Sequence, residues 1–257
     1  YFQRIAADRL DLVMGMEADR MANLRLTDDQ VLPERDVIIE ERNQRVENSP
    51  SALFRERQSA TQYLNHPYGD PIIGWRNEME ELDREAALDF YETHYAPNNA
   101  ILVVAGDARP DEVRELAEKH YGGIAPNPDL PARTRPQEPP QLAERRVMLR
   151  DDRVSQPYLS RSYLAPERDS GDQQQAAALY LLAQILGGGQ TSVLNQSLQI
   201  DQKIAVQVGA WYGATSLDDT TFNVAVVPAA GVTLQDAETA LDEALTEFIE
   251  TGPAPAQ

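Results

Sequence analysis

Pro33-Glu34-Arg35-Asp36-Val37-Ile38-Ile39-Glu40-Glu41-Arg42 carries two acids that a helix brings onto one stripe. At about 100° per residue, Glu41 returns to within roughly 20° of Glu34, and Val37 and Ile38 fall beside them. Asp36, Glu40 and Asn43 project from the opposite side. An amphipathic helix buries its apolar stripe, so the pattern predicts two carboxylates on the inner face. A buried carboxylate costs several kcal/mol unless something pairs with it, and a bound metal ion is one of the few partners strong enough. Glu41 and Arg45 are also spaced i, i+4, as in an ordinary surface ion pair contributing about 0.2–0.5 kcal/mol. The stretch alone leaves both readings open.

Composition narrows the partners. The chain has 257 residues with 42% hydrophobic content, enough to bury a core and to form one or two domains. It carries 42 acidic against 23 basic residues, a net charge of -19. That field repels phosphate backbones, which excludes nucleic acid as a natural partner. No run of about 18 apolar residues is present, so no membrane-spanning helix is predicted in this segment. The absence of cysteine excludes disulfides and thiolate metal sites.

Working outward from the acidic stretch, Leu10, Val13, Met14, Glu17, Met21 and Leu24 recur at three and four residues and predict a helix. Pro33 is expected in the first turn of the next. Ser49-Pro50 breaks the chain and opens a helix through Leu64, followed by a long loop with His66, Pro67, Gly69, Pro71 and Gly74. A helix from about Asp83 to His94, a strand over Ala100 to Ala105 and a helix from Pro110 to His120 come next. Six of the 17 prolines lie between Pro126 and Pro140, the expected linker. Beyond it, Arg146 to Leu149, Gln156 to Leu164, Ile204 to Tyr212 and Thr221 to Val227 are predicted strands. Asp172 to Leu186, Ser192 to Leu198 and Thr233 to Ile249 are predicted helices. Gly187-Gly188-Gly189 follows a helix and lacks the Gly-Lys-Ser/Thr ending of a phosphate loop, so it reads as a turn. His66 is expected to hydrogen-bond its own loop, and His94 and His120 sit near helix ends, where a cationic side chain suits the dipole.

The run from Glu34 to Glu41 resembles the distal zinc-ligand helix of the pitrilysin/insulinase family, which includes the mitochondrial processing peptidases. His66-Pro67-Tyr68-Gly69, Phe90-Tyr91, Tyr95 to Ala100 and Leu102 to Asp107 resemble its bacterial processing-peptidase-like branch in the same order. Tyr163-Leu164-Ala165-Pro166, Leu186 to Ser192 and Lys203-Ile204-Ala205 continue the match, so the resemblance covers nearly the whole chain.

The resemblance implies an α+β fold of two related units of the processing-peptidase-like metallohydrolase type, each a mainly antiparallel sheet packed with helices. Residues 1–124 would be the later part of the first, zinc-bearing domain, 125–144 the linker, and 145–257 the earlier part of a second, inactive-type domain. It implies a zinc endopeptidase in which His-x-x-Glu-His gives two ligands and the general base, and a distant glutamate the third ligand. On this chain that glutamate is Glu41. Glu34 lies about 10 Å away along the axis, too far to share one ion from a straight helix, and is assigned outer support of the site. Here the chain departs from the pattern: His66, His94 and His120 are its only histidines, and no His-x-x-Glu-His occurs. It is therefore expected to be a fragment, trimmed at both Tyr1 and Gln257, that does not hold zinc tightly by itself. Peptide substrates, a homodimer or a heterodimer with a related subunit, and a periplasmic or secreted location are what the resemblance implies for the parent. The alternative it allows is a non-catalytic scaffold or substrate-gripping partner subunit.

Overall fold

Alternating apolar residues over 205–228 can cover a core only as a sheet, and the computed structural model, which describes residues 1–171 and 173–253, has one there. In chain order the elements are α1 (Leu10–Asn23), α2 (Asp28–Arg42), α3 (Pro50–Gln62), α4 (Arg76–Glu81), α5 (Arg84–His94), α6 (Pro110–Tyr121), β1 (Leu159–Ala165), α7 (Gln174–Gly187), β2 (Ala205–Tyr212), β3 (Thr220–Pro228) and α8 (Leu234–Thr251). Asn43–Glu47 and Asn195–Asp201 are π-helical. The chain divides into two compact units, Tyr1–Asn48 with Ile72–Thr134, and Ser49–Pro71 with Arg135–Gln257. This differs from the division at residues 124 and 145 drawn from the proline-rich stretch, because α3 and the loop after it pack with the later part of the chain.

The second unit holds the sheet, in the order β1-β3-β2 and antiparallel throughout. Tyr163 stands opposite Phe222, Val208 opposite Val226, and an irregularity between Ala205 and Gln207 shifts the register of β2. Phe222, Val224 and Val226 face inward with Val208, Ala210 and Tyr212, and α7 and α8 supply Leu186, Leu241 and Ala244 to the same core. Val224, Val226, Leu194, Leu198 and Leu241 are fully buried, each stabilising the fold by about 1.5–3 kcal/mol. Gly187 lets α7 lie directly on β2: a Cβ there would stand 2.1 Å from the Ala210 nitrogen. At the start of α8, Thr233 Oγ1 accepts from Asp236 N (3.1 Å) while the Asp236 carboxylate accepts from Thr233 N (3.2 Å), a reciprocal cap.

The first unit is helical. Its buried apolar residues among those described are Met14, Ala18, Met79 and Ala96. On α1, Asp11 accepts from Lys119 Nζ (2.7 Å) and pairs with His120 Nε2 (2.6 Å) of α6. The Asp83 side chain caps α5 by accepting from Ala86 N at 2.9 Å.

Several expectations need correction. Ala100 to Ala105 is not a strand: no other strand of the first unit lies among the described residues to pair with it, and Ile101 and Val103 are 91% and 78% exposed. Arg146 to Leu149 is likewise unpaired and irregular. Pro33 lies inside α2, which starts earlier at Asp28, behind Thr27, whose N–H donates to Gln30 Oε1 at 3.0 Å. The loop after α3 contains the short helix α4. Ser192 to Leu198 is replaced by the π-helical Asn195–Asp201. Asp172, the expected start of α7, and residues 254–257 at the expected trimmed end lie outside the described residues.

Candidate functional site

The stripe of α2 that packs inward is Val31, Arg35, Ile39 and Arg42, with Arg42 buried. Arg42 Nε donates to Glu47 Oε1 (3.0 Å) and its Nη1 to the Gly74 carbonyl (2.7 Å), which accounts for an arginine on the inner side. On the other stripe Glu34, Val37 and Ile38 are exposed, Val37 by 60%, while Glu41 at its end is half-buried. The exposed Glu34 departs from the inner-face placement expected of the two acids. Apolar periodicity could not separate the stripes, since Val31 and Ile39 mark one as well as Val37 and Ile38 mark the other. The Glu41 side chain is 44% exposed and its carboxylate stands 2.9 Å from Arg45 Nη2. Glu34 is exposed on the same side of the helix.

A catalytic zinc takes three protein ligands and a water. Among the described residues no group of three or more His, Cys, Asp or Glu side chains is placed to hold a metal ion. The donors present here do not by themselves fit a zinc ion. What α2 offers is one accessible carboxylate at Glu41, with a second acid about 10 Å away at Glu34.

In the second unit the structure assembles a polar cluster that has no local sequence signature. His66 is buried, its Nδ1 accepting from Tyr68 N (3.1 Å) as expected of a histidine fastening its own loop. With Nδ1 an acceptor, the proton sits on Nε2, which faces Asp218 Oδ2 at 3.3 Å. Arg135 holds the same carboxylate through Nε (3.1 Å) and Nη2, and also donates to the Leu217 carbonyl (2.6 Å). The Arg135 guanidinium, assisted by His66, keeps the Asp218 carboxyl below the usual range. Glu138, buried, accepts from three successive amides, Leu64 N (2.7 Å), Asn65 N (2.9 Å) and His66 N (3.1 Å). Burial pushes the Tyr63 hydroxyl up to about 12. Both His66 nitrogens are engaged, so the cluster has no free base, and its chemistry is that of a fastening. The partners lie 69 to 152 positions from His66, beyond the reach of any spacing rule.

A second network joins β1 to α8. Arg146 donates to both oxygens of Glu238 (2.9 and 2.8 Å), and Arg161 bonds Glu238 at 3.2 Å and also pairs with Asp242. The Glu238 carboxyl is lowered first by Arg146 and then by Arg161, against the opposing effect of burial.

Comparison with known proteins follows the same geometry. The family described as "Peptidase M16 inactive domain" matches residues 81–257. "Zinc protease PqqE" of Helicobacter pylori is 32% identical over 209 residues, covering 80% of this chain and 46% of that protein. "Probable mitochondrial-processing peptidase subunit beta" of Arabidopsis thaliana is 23% identical over 193 residues, 75% of this chain and 36% of that protein. Among solved structures, a protease from Helicobacter pylori superposes with a TM-score of 0.75 at 26% identity, covering 98% of this chain and 60% of that one. The periplasmic protease PqqL from Escherichia coli gives 0.78 at 19% identity over 99% of this chain and 28% of its own, a likeness of fold. The chain spans about half the length of the curated zinc proteases it matches.

Proposed function

The chain belongs to the peptidase M16 family, and from that premise we propose that it is part of a zinc-dependent endopeptidase hydrolysing peptide bonds in extended or unfolded peptides. The observation that carries this reading is the 32% identity to a protein named a zinc protease over 80% of the chain. In this reading Glu41 is the carboxylate that α2 contributes to the zinc site, Glu34 supports it from outside, and the remaining donors come from beyond the described residues. The ion, when bound, would polarise the scissile carbonyl and activate water. The residues of this chain do two things toward it: α2 presents Glu41 with its carboxylate partly accessible, and Arg45, 2.9 Å away, steadies that carboxylate. A homodimer or a heterodimer with a related subunit and a periplasmic or secreted placement complete the proposal. Cell fractionation and the mass of the intact assembly test those two points, and a monomer in the cytoplasm would remove both. Among the described residues no helix is long and apolar enough to cross a membrane.

One observation favours the second reading, a non-catalytic scaffold or substrate-gripping subunit: the family description matching residues 81–257 is that of an inactive domain. Zinc content separates the two. The intact protein purified with one zinc per chain, falling on the order of tenfold or more in affinity in Glu41→Gln, supports the peptidase. An intact protein without zinc, equally insensitive to that substitution, leaves the scaffold.

A further inference from the structure

In the second unit, the loop over 63–71 and the connection from β2 to β3, 213–219, are distant in sequence and clasped together by side chains. Leu217 N donates to the Tyr68 hydroxyl (3.1 Å), and the Tyr63 hydroxyl donates to the Asp219 carbonyl (3.3 Å). The Tyr68 ring meets Tyr63 edge-on at 5.8 Å and His66 at 4.3 Å. What aims Tyr68 is the single 3-10 turn Pro67–Gly69. Proline has no N–H, so the first amide of that turn is that of Tyr68, and His66 Nδ1 caps it at 3.1 Å.

Such a cap needs an unprotonated nitrogen. The neutral imidazole has one donor and one acceptor, and both are used: Nδ1 accepts from Tyr68 N, and Nε2 faces Asp218 Oδ2 at 3.3 Å. The imidazolium has two donors and no acceptor. A proton on Nδ1 sets two N–H groups against each other across a 3.1 Å gap, on a side chain only 5% exposed.

The charged groups around the ring act in opposite directions. Asp218 favours the imidazolium, while burial and Arg135, bonded to that same carboxylate, oppose it. The Glu138 carboxylate accepts from the His66 amide, Asp219 lies beside Tyr63, and the Tyr63 hydroxyl, pushed up to about 12, stays neutral. This balance sets the pH of proton uptake. The loss of the Tyr68 cap follows from Nδ1 alone.

We propose that His66 is a proton-operated latch. The neutral ring holds the Tyr68 turn shut, and proton uptake, in the range of about pH 5–8 where histidine ordinarily titrates, releases Tyr68 and with it the clasp between 63–71 and 213–219. The latch is closed above the titration of the ring and opens as pH falls through it. Opening is local, since the Glu138 bonds to Leu64 and Asn65 and the pairing of β3 do not involve the ring. This inference does not depend on the peptidase reading.

Nuclear magnetic resonance of the 257-residue protein between about pH 8 and pH 5 tests it. The His66 Cε1–H shift reports the proton, the Tyr68 and Leu217 amides report the latch, and the β3 amides show that the second unit is folded. The latch predicts that protection of the Tyr68 amide, relative to unstructured chain at the same pH, falls on the order of tenfold or more with the midpoint of the His66 shift. The Leu217 amide shift should move with the same midpoint, and β3 should stay protected. His66→Asn sharpens the test, because its side-chain carbonyl can cap Tyr68 but takes up no proton, so protection there should not change with pH. Tyr68 protection or a Leu217 shift that ignores the His66 transition, an equal fall in His66→Asn, or no His66 transition in this range with β3 protected would each overturn the proposal. If His66→Asn leaves β3 unprotected, the coincidence or separation of the midpoints in the parent chain decides alone.

Discussion

The Glu41 carboxylate of α2 lies 2.9 Å from the guanidinium of Arg45, four residues on in the π-helical Asn43–Glu47. Glu41 is about half-exposed and Arg45 mostly exposed, at 44% and 70%, so their pairing adds little to stability. Arg45→Ala should shift the free energy of unfolding by less than about 0.5 kcal/mol in a urea titration. A loss of more than about 1 kcal/mol would mean that the pair holds α2 in place, and that Glu41 has a structural task.

Glu238 sits between two arginines that come from different segments of the second unit. Glu238→Gln should cost about 1–3 kcal/mol, since it leaves Arg161 facing a neutral partner in a mostly buried position. The pH dependence follows from the lowered carboxyls of Glu238 and Asp218. A depressed folded-state pKa contributes stability that is full above the unfolded value, near 4 to 4.5, and is lost as pH falls through the folded value. Acid titration should therefore destabilise the second unit progressively below about pH 4.5, and Glu238→Gln should flatten that slope. An unchanged slope in the variant would contradict the assignment.

Glu138 is the single acceptor for three consecutive amides. Replacing it with Gln keeps the shape but removes the charge, and should cost about 1–3 kcal/mol while speeding amide exchange at Leu64, Asn65 and His66 ahead of β3. Exchange at those three amides unchanged from the parent chain would show that the loop holds without it.

Gly187 has no room for a side chain, because the added carbon would meet the Ala210 nitrogen at 2.1 Å. Gly187→Ala should lower stability by about 1–3 kcal/mol or more through displacement of α7 from β2. Gly189→Ala, with nothing within 4 Å, is the matched control and should be close to neutral. Thermal unfolding of the two variants side by side distinguishes crowding from loss of glycine flexibility.

What could be read in the residues follows the range of the forces involved. Alternation over 205–228 and three-to-four spacing in α1, α6 and α8 are local, and the elements appear within a few residues of where they were expected. Ala100 to Ala105 and Arg146 to Leu149 have strand-like composition but no hydrogen-bonded neighbour among the described residues, and propensity cannot supply one. On α2 two stripes compete, and the buried Arg42, satisfied by Glu47 and the Gly74 carbonyl, selects the one that hydrophobicity alone disfavours. The fastening of His66 by Asp218, Arg135 and Glu138 joins three separate stretches of chain, so only the fold brings it into view.

Glu41 carries the functional reading, and one measurement addresses it most directly: hydrolysis of an unstructured peptide by the intact protein with zinc, beside its Glu41→Gln form. The account predicts cleavage by the parent and a loss of at least about 100-fold in kcat/KM in the variant, with folding intact by circular dichroism. Cleavage undiminished in Glu41→Gln would contradict it.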